Sequence, residues 1–287
     1  MYGVIMPVGP GAREVDRMDD TLAMLREHED VNEIHLVLVD DDASARALDP
    51  GWPHQQVIVN PLRERRRRPD ASSAMVAGTV AGLTACRTRD VDMAIKLDTD
   101  AAVIAPFSRQ IRSALDDPDL GVVGSYDTTS AGSVRDWSVW EPTLARTGRC
   151  WHVTRRPDGR RAWWYKSRRD RATLRRLQAE ALRHAPAGAH CLGGAYAVSR
   201  RFLERAELRW RPWVGTRVAE DVMVGVLCAA AGLRMRSLVG RGEPFALAWQ
   251  GLPASPDEIA AGGHSIVHSV KAPTLDEERG LRGRLSV

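Results

Sequence analysis

The sequence predicts an α/β protein: an open, twisted, mostly parallel sheet of Rossmann-like type with helices on its faces. Over residues 1–125, short apolar runs alternate with amphipathic segments, which are the two periods of a β-α-β layer. Two of those runs close on clustered acids, in "LVDDDAS" and "KLDTDAA". The chain has 287 residues and 44% hydrophobic content, enough for one large α/β domain or one such domain with a sizeable insertion.

The elements follow in order. "YGVIMPV" reads as a first strand, and "REVDRMDDTLAMLREHED" as an amphipathic helix with Val15, Met18, Leu22 and Leu25 along one face. "EIHLVLVDDDAS" is a second strand, "QQVIVN" a third, and "ASSAMVAGTVAGLTACRT" a helix with a small-residue face. "VDMAIKLDTD" is a fourth strand, Pro106 opens a helix over "FSRQIRSALDD", and "LGVVGSY" is a fifth strand. Right-handed crossovers join such strands.

Ligands of doubly wound sheets bind beyond the carboxyl ends of the strands, so Asp40 to Asp42 and Asp98 with Asp100 should converge on one crevice. Clustered carboxylates repel unless a cation or a set of donors offsets them. A divalent metal held by hard oxygen ligands and shared with a phosphate-bearing substrate satisfies that requirement.

The second half supplies three further pieces. "HCLGGAYAVSRRFLERA" (190–206) is a strand interrupted by Gly193 and Gly194, a sign of close approach by a ligand or another backbone, with Ser199 as N-cap of a short helix. "VAEDVMVGVLCAAAGLRM" (218–235) begins a helix with Glu220 and Asp221 and ends it at Gly232. Acids in a first turn also serve as plain compensation of the helix dipole. "GGHSIVHSVK" (262–271) places His264, His268 and Lys271 on one segment, where imidazole would complete an acidic metal site.

The net charge of +4 hides an asymmetry. Residues 131–185 hold fourteen Arg or Lys against five Asp or Glu, so the rest of the chain carries −5. The same stretch holds five of the nine tryptophans, Trp137, Trp140, Trp151, Trp163 and Trp164. It suits a nucleic acid, an anionic glycan or a phosphorylated or aromatic acceptor, and equally a solvated basic surface over a few core tryptophans. The loop "PLRERRRRPD" (61–70), with Arg65, reads as a phosphate grip or as an exposed charged loop, and Trp213 as a stacking platform or a core residue. Cys86, Cys150, Cys191 and Cys228 lie far apart, without the spacing of a zinc knot or a disulfide framework. The N-terminal residues lack a signal-peptide pattern and no apolar run approaches the ~20 residues of a membrane span, so a cytoplasmic, unanchored protein is expected.

Taken in order, "VIMPV", "DDAS", "LDTD", "GGAYAVSRRFLE", "AEDVMVG" and "HSVK" resemble the GT-A fold glycosyltransferases. The first part is similar to glycosyltransferase family 2, and the glycine strand and "EDV-x-x-G" helix are similar to the Fringe-type galactosyltransferases. The resemblance covers most of residues 1–125 and 188–271. The chain then divides into a nucleotide-sugar half (1–125), a basic Trp-rich insertion (126–187) that matches nothing in the family and is assigned to the acceptor, a catalytic half (188–271) and, from "DEERGLRGR", a flexible tail (272–287). Ala43 stands where the family-two D-D-G-S turn has glycine, and the third aspartate leaves the register of the base-contacting acid open by one.

The resemblance implies a nucleotide-diphosphate sugar donor, with a UDP-sugar favoured, an acceptor hydroxyl, and Mn2+ or Mg2+. Asp100 would hold the metal, with Asp98 contacting it through water or else the ribose. His268 or His264 would complete the shell. Asp41 or Asp42 would read the base, and Lys271 would offset charge on the leaving diphosphate. Pro7, Arg65, Lys96, Gly193 and Gly194 join the donor-binding set. Asp221 would be the general base, with Glu220 as alternative, which implies inversion unless the acceptor geometry imposes retention. The chemistry fits: a departing diphosphate builds negative charge that a metal stabilises, and the attacking hydroxyl needs a base on the opposite face.

Three rival readings stand beside it. A haloacid-dehalogenase-type phosphatase uses a strand-terminal D-x-D near its N-terminus, whereas here a β-α-β array precedes the motif and Ala102 follows the second acid by two. "GPGAR" hints at a sugar-phosphate nucleotidyltransferase without its downstream Pro and Lys. A nucleic-acid-binding module would use the Arg/Trp segment but leave the acidic crevice without a role.

Overall fold

The computed structural model describes residues 1–42, 44, 46–63, 70–155 and 161–285. Strand β1 (Tyr2–Val8) leads into α1 (Ala12–His28), β2 (Ile34–Asp40), β3 (Gln55–Val59) and α2 (Ala71–Thr88). Then come β4 (Met93–Leu97), β5 (Ala102–Val103), α3 (Ser108–Leu115) and β6 (Leu120–Gly124). The basic insertion holds α4 (Glu141–Arg146), a hairpin of β7 (Trp151–Arg155) and β8 (Arg161–Tyr165), and α5 (Arg168–Ala181). The last third comprises β9 (Ala195–Ser199), α6 (Arg200–Arg205), α7 (Glu220–Ala230), β10 (Arg234–Ser237), β11 (Phe245–Leu247), α8 (Pro256–Gly262), β12 (Ile266–His268) and α9 (Leu275–Leu285).

Seven strands form one sheet in the order β10-β6-β9-β4-β1-β2-β3. Every neighbouring pair is parallel except those of β9, which runs antiparallel to both β4 and β6. This is the mostly parallel, Rossmann-like α/β sheet with flanking helices expected of the GT-A class. Alternation along β1 feeds two cores: Val4, Met6 and Val8 meet Met18, Leu22 and Leu25 of α1, while Ile5 meets Val76, Val80 and Leu83 on the α2 side. The small-residue face of α2 is needed there, since a Cβ on Gly82 would lie 2.4 Å from Ile5 Cγ2.

A second, three-stranded sheet, β11-β12-β5, positions the site. The chain leaves β4 through Asp98, Thr99 and Asp100 and enters β5 at once, and β12 pairs antiparallel with β5 through Val267↔Ala102 and Ile266↔Val103. The end of β12 therefore lies beside the start of β5, and His268 beside Asp100, although 168 residues separate them. The Val270 N–H donates to Asp100 O at 3.0 Å and continues that pairing.

The segment expected to be a flexible tail is instead helix α9, with Glu278, Arg282 and Leu285 buried. Glu278 accepts from Arg17 Nε at 2.8 Å and from Arg13 at 2.7 Å. The Arg282 guanidinium donates to Thr99 O at 3.0 Å and Ala101 O at 2.5 Å, so it braces the turn that carries Asp98 and Asp100. Buried arginine is tolerated because carbonyls and carboxylates satisfy its donors. No helix among the described residues is long and apolar enough to cross a membrane.

Candidate active site

One cleft of about 290 Å³ at the carboxyl end of β4 is lined by Asp98, Asp100, Gly193, Gly194, Glu220, Asp221, His268 and Lys271, together with Ser72, Met75, Leu192, Ala219 and Trp249. The sequence named the first eight. The β4–β9 register explains the glycines: Leu97 pairs with Ala195, so Gly193 and Gly194 lie beside the D-x-D turn, and the Asp98 N–H donates to Gly194 O at 3.1 Å. Neither position has room for a side chain. A Cβ on Gly193 would meet Glu220 Oε1 at 2.6 Å, and one on Gly194 would meet His268 Nδ1 at 2.2 Å.

One wall of the cleft is a cation-ligand set. Single ligand atoms of Asp98, Asp100 and His268 all lie within 4.8 Å of one another. His268 Nδ1 faces Ala248 O at 2.9 Å and acts as donor there, which turns Nε2 toward Asp100 Oδ2 at 3.4 Å and Asp98 Oδ2 at 3.7 Å. Ser269 Oγ donates to Asp100 Oδ2 at 2.6 Å and Lys271 Nζ stands 3.3 Å away. Burial opposes charge on Asp100, but His268, Lys271 and Ser269 outweigh it and hold its carboxyl far below the usual range. Burial likewise opposes protonation of His268, and Asp100 and Asp98 reverse the balance and raise it. Two hard carboxylates and one oriented imidazole fit a divalent cation of the Mn2+ or Mg2+ kind.

The opposite wall is the start of α7. Glu220 is buried against Lys96, whose ammonium is fully enclosed and also meets Asp98 Oδ1 at 2.6 Å, Glu220 Oε1 at 3.2 Å and the Gly193 carbonyl. Lys96, expected to bind the donor, thus lies beneath the cleft floor and ties its two walls together. Burial raises Glu220 and Asp98 against the pull of Lys96. Asp221 reaches the cleft surface, with Oδ1 accepting from the Val222 N–H at 2.8 Å. Burial raises it as well, which makes it a better proton acceptor when ionised.

Behind Asp221 stand two residues the sequence reading missed. His190 Nε2 lies 3.6 Å from Asp221 Oδ2 and accepts from Arg135 at 2.9 Å, while Nδ1 donates to Gly188 O at 2.6 Å. Burial and the adjacent Arg135 push His190 down to about 4, so it is neutral here. Trp249, 78% exposed at the cleft rim, was missed too, since a lone tryptophan carries no sequence sign of its side. Trp213, considered for stacking, is instead a fully buried core residue.

Other expected residues lie elsewhere. His264 precedes β12, at the far end from Asp100, with Nδ1 at 2.8 Å from Glu243 O in a separate cavity, so His268 alone of the pair joins the acids. Pro7, Asp41 and Asp42 do not line the cleft. Asp42 binds the Gly11 N–H at 3.0 Å and Ser44 at 2.8 Å, which lock the loop after β1 to the turn after β2. The neighbouring Asp40 is taken up by Arg46 and Arg63. Arg65 lies outside the described residues.

No protein-family model matches the chain, and no curated protein matches it. Among solved structures, the mannosyltransferase PcManGT from Pyrobaculum calidifontis, in complex with GDP-Man and Mn2+, resembles it with a TM-score of 0.39 at 18% sequence identity, over 82% of this chain and 54% of that one. The chain thus spans about half the length of that protein. The fold class rests on strand order and register, not on this likeness.

Proposed function

We propose that the chain is a metal-dependent glycosyltransferase of the GT-A type, moving a sugar from a nucleotide-diphosphate donor to an acceptor hydroxyl. The observation that carries this reading is a single cleft with Asp98, Asp100 and His268 on one wall and Asp221 on the other, across paired glycines. Asp98, Asp100 and His268 would hold Mn2+ or Mg2+, which supplies Lewis-acid stabilisation of a diphosphate when bound. Lys271, half exposed at the mouth, supplies a mobile positive charge for the departing phosphates. Trp249 offers an indole face to a sugar or base ring.

In this account Asp221 takes the acceptor proton on its carboxylate, with Glu220 held as a spectator by Lys96. Attack from the side of Asp221 inverts the anomeric centre. Asp41 or Asp42 would read the nucleobase in the adjoining turn, and a UDP-sugar is the donor favoured. Residues 1–125 form the donor half, 188–271 the catalytic half, and 126–187 face the acceptor. The phosphatase alternative requires Asp98 as nucleophile, yet its Oδ1 is paired with the buried Lys96.

Two variants test the division of labour. Asp100→Ala should abolish metal-dependent nucleotide binding, whereas Asp221→Asn should keep binding and lower kcat by about 10²–10⁴-fold, the usual worth of a general base. Wild-type turnover by Asp221→Asn would overturn the base assignment.

A further inference from the structure

A second recess, of about 330 Å³, opens between the end of α4, the β7–β8 hairpin and the loop that leads into α7. Arg146, Arg149 and Arg217 line it beside Trp151, and among the described residues no carboxylate does. Among the described residues none of these three guanidinium groups has a carboxylate partner. Other arginines do carry carboxylate partners, as Arg176 does with Glu207 and Arg200 with Asp90 and Glu204. A recess that gathers three arginines without a carboxylate partner among the described residues is complementary to an anion.

The walls of this recess are built rather than fortuitous. Lys166, buried at the end of β8, donates to Val214 O at 2.8 Å and to Pro212 O, and Trp164 packs over Gly215, which pins the hairpin to the loop before α7. Arg217 sits in that loop with φ of 62°, in the left-handed region that side chains rarely adopt, and its Nη2 donates to Val153 O at 2.8 Å. On the outer face of the hairpin Trp151, Trp163 and Tyr165 stand more than half exposed, and the Trp151 and Tyr165 rings lie 5.1 Å apart. Clustered exposed aromatics of this kind mark a binding surface.

We propose that the recess and the aromatic face bind an acidic oligosaccharide, a glycan bearing carboxylate or phosphate groups, which is the acceptor. The proposal rests on the transferase reading above. Indole and phenol faces are electron-rich and complement the C–H faces of pyranose rings, while guanidinium groups pair bidentately with carboxylate or phosphate. Arg217 is four residues from Asp221, at most about 14 Å of extended chain, so a short oligosaccharide held in the recess reaches the base. Single-stranded nucleic acid shares the stacking and the charge. It does not account for the placement of the recess beside the carboxylate that would receive a hydroxyl proton.

The test is a binding titration of the full chain, followed by tryptophan fluorescence, with oligogalacturonate, a neutral maltooligosaccharide and oligo(dT). Oligogalacturonate should bind at least about tenfold tighter than the neutral sugar, and less tightly as salt rises. Arg149→Gln and Trp151→Ala should each weaken it about five- to tenfold, while circular dichroism and the nucleotide-induced thermal shift stay as in the wild type. Equal affinity for charged and neutral sugars, no binding, binding indifferent to both substitutions, or tighter binding of oligo(dT) would each overturn the proposal. A nucleotide shift without oligogalacturonate binding sinks this inference and spares the transferase reading. Oligogalacturonate binding without any nucleotide shift would spare the glycan-binding face but sink the transferase reading and, with it, the acceptor role.

Discussion

Gly194 and His268 are packed so closely that a methyl group on the glycine would sit 2.2 Å from Nδ1 of the imidazole. The hydrogen atom at Gly194 is thus what lets Nε2 reach the two aspartates. Gly194→Ala should push the ring aside and weaken Mn2+ binding by at least about tenfold in calorimetry. His268→Ala should cost a similar amount, and the double variant little more than either single one, because both remove the same ligand. Additive losses would separate the two residues.

Lys96 is the buried cation between Asp98 and Glu220. Lys96→Met leaves two carboxylates enclosed without it, at a cost of about 3–5 kcal/mol in urea unfolding at neutral pH. Adding Glu220→Gln should recover part of that loss. Lowering the pH should narrow the gap to the wild type, because protonation neutralises the orphaned acids. A Lys96→Met protein as stable as the wild type would contradict the pairing.

His190 makes stability depend on pH in a defined window. Its folded value, about 4, lies below the ordinary 6.5, so the unfolded chain takes up the proton first as pH falls. The contribution is whole above pH 6.5 and is lost between about 6.5 and 4, amounting to about 3 kcal/mol. Urea midpoints across that range should fall more steeply for the wild type than for His190→Asn, whose amide still donates to Gly188 O. Parallel slopes would show that His190 does not titrate in this way.

Arg282 and α9 brace the D-x-D turn from behind. Arg282→Met leaves the Thr99 and Ala101 carbonyls to share the Thr21 hydroxyl as donor and should destabilise the protein by about 2–4 kcal/mol. Removal of residues 274–287 should cost more, since it also strips Glu278 from Arg13 and Arg17. Unchanged denaturation midpoints would mean the helix merely rests on the surface.

Much of this arrangement is legible in the chain because apolar runs and acidic strand ends are local signals. Strands β1, β2, β4 and β6 are read from their own residues, Ser199 caps α6 as its hydroxyl chemistry suggests, and Gly232 takes the left-handed turn after α7. What escapes is set by pairing across long distances. Period-two patterning is the same in either direction, so the antiparallel course of β9 has no sequence mark. His264 and His268 are equivalent by spacing, and only the register of β12 on β5 chooses between them. Lys96 reads as an ordinary charge until residues 98, 193 and 220 close around it. "DEERGLRGR" reads as a mobile end because its two glycines hide the i,i+4 placement of Glu278 and Arg282 on one helix face. Where "WHVTR" runs on to "RAWWY", four arginines at 155, 156, 160 and 161 mask the alternation of a hairpin.

The central claim is a metal-dependent nucleotide-diphosphate site at Asp98, Asp100 and His268. Thermal unfolding with UDP, GDP, ADP, CMP and dTDP, each with Mn2+ and with chelator, tests it most directly. At 100 times its dissociation constant the right nucleotide adds about 2.7 kcal/mol, a rise of a few degrees. The account predicts such a rise with one nucleoside diphosphate, present with Mn2+, absent with chelator and absent in Asp100→Ala. No rise with any nucleotide, or one that persists in chelator and in Asp100→Ala, would contradict it.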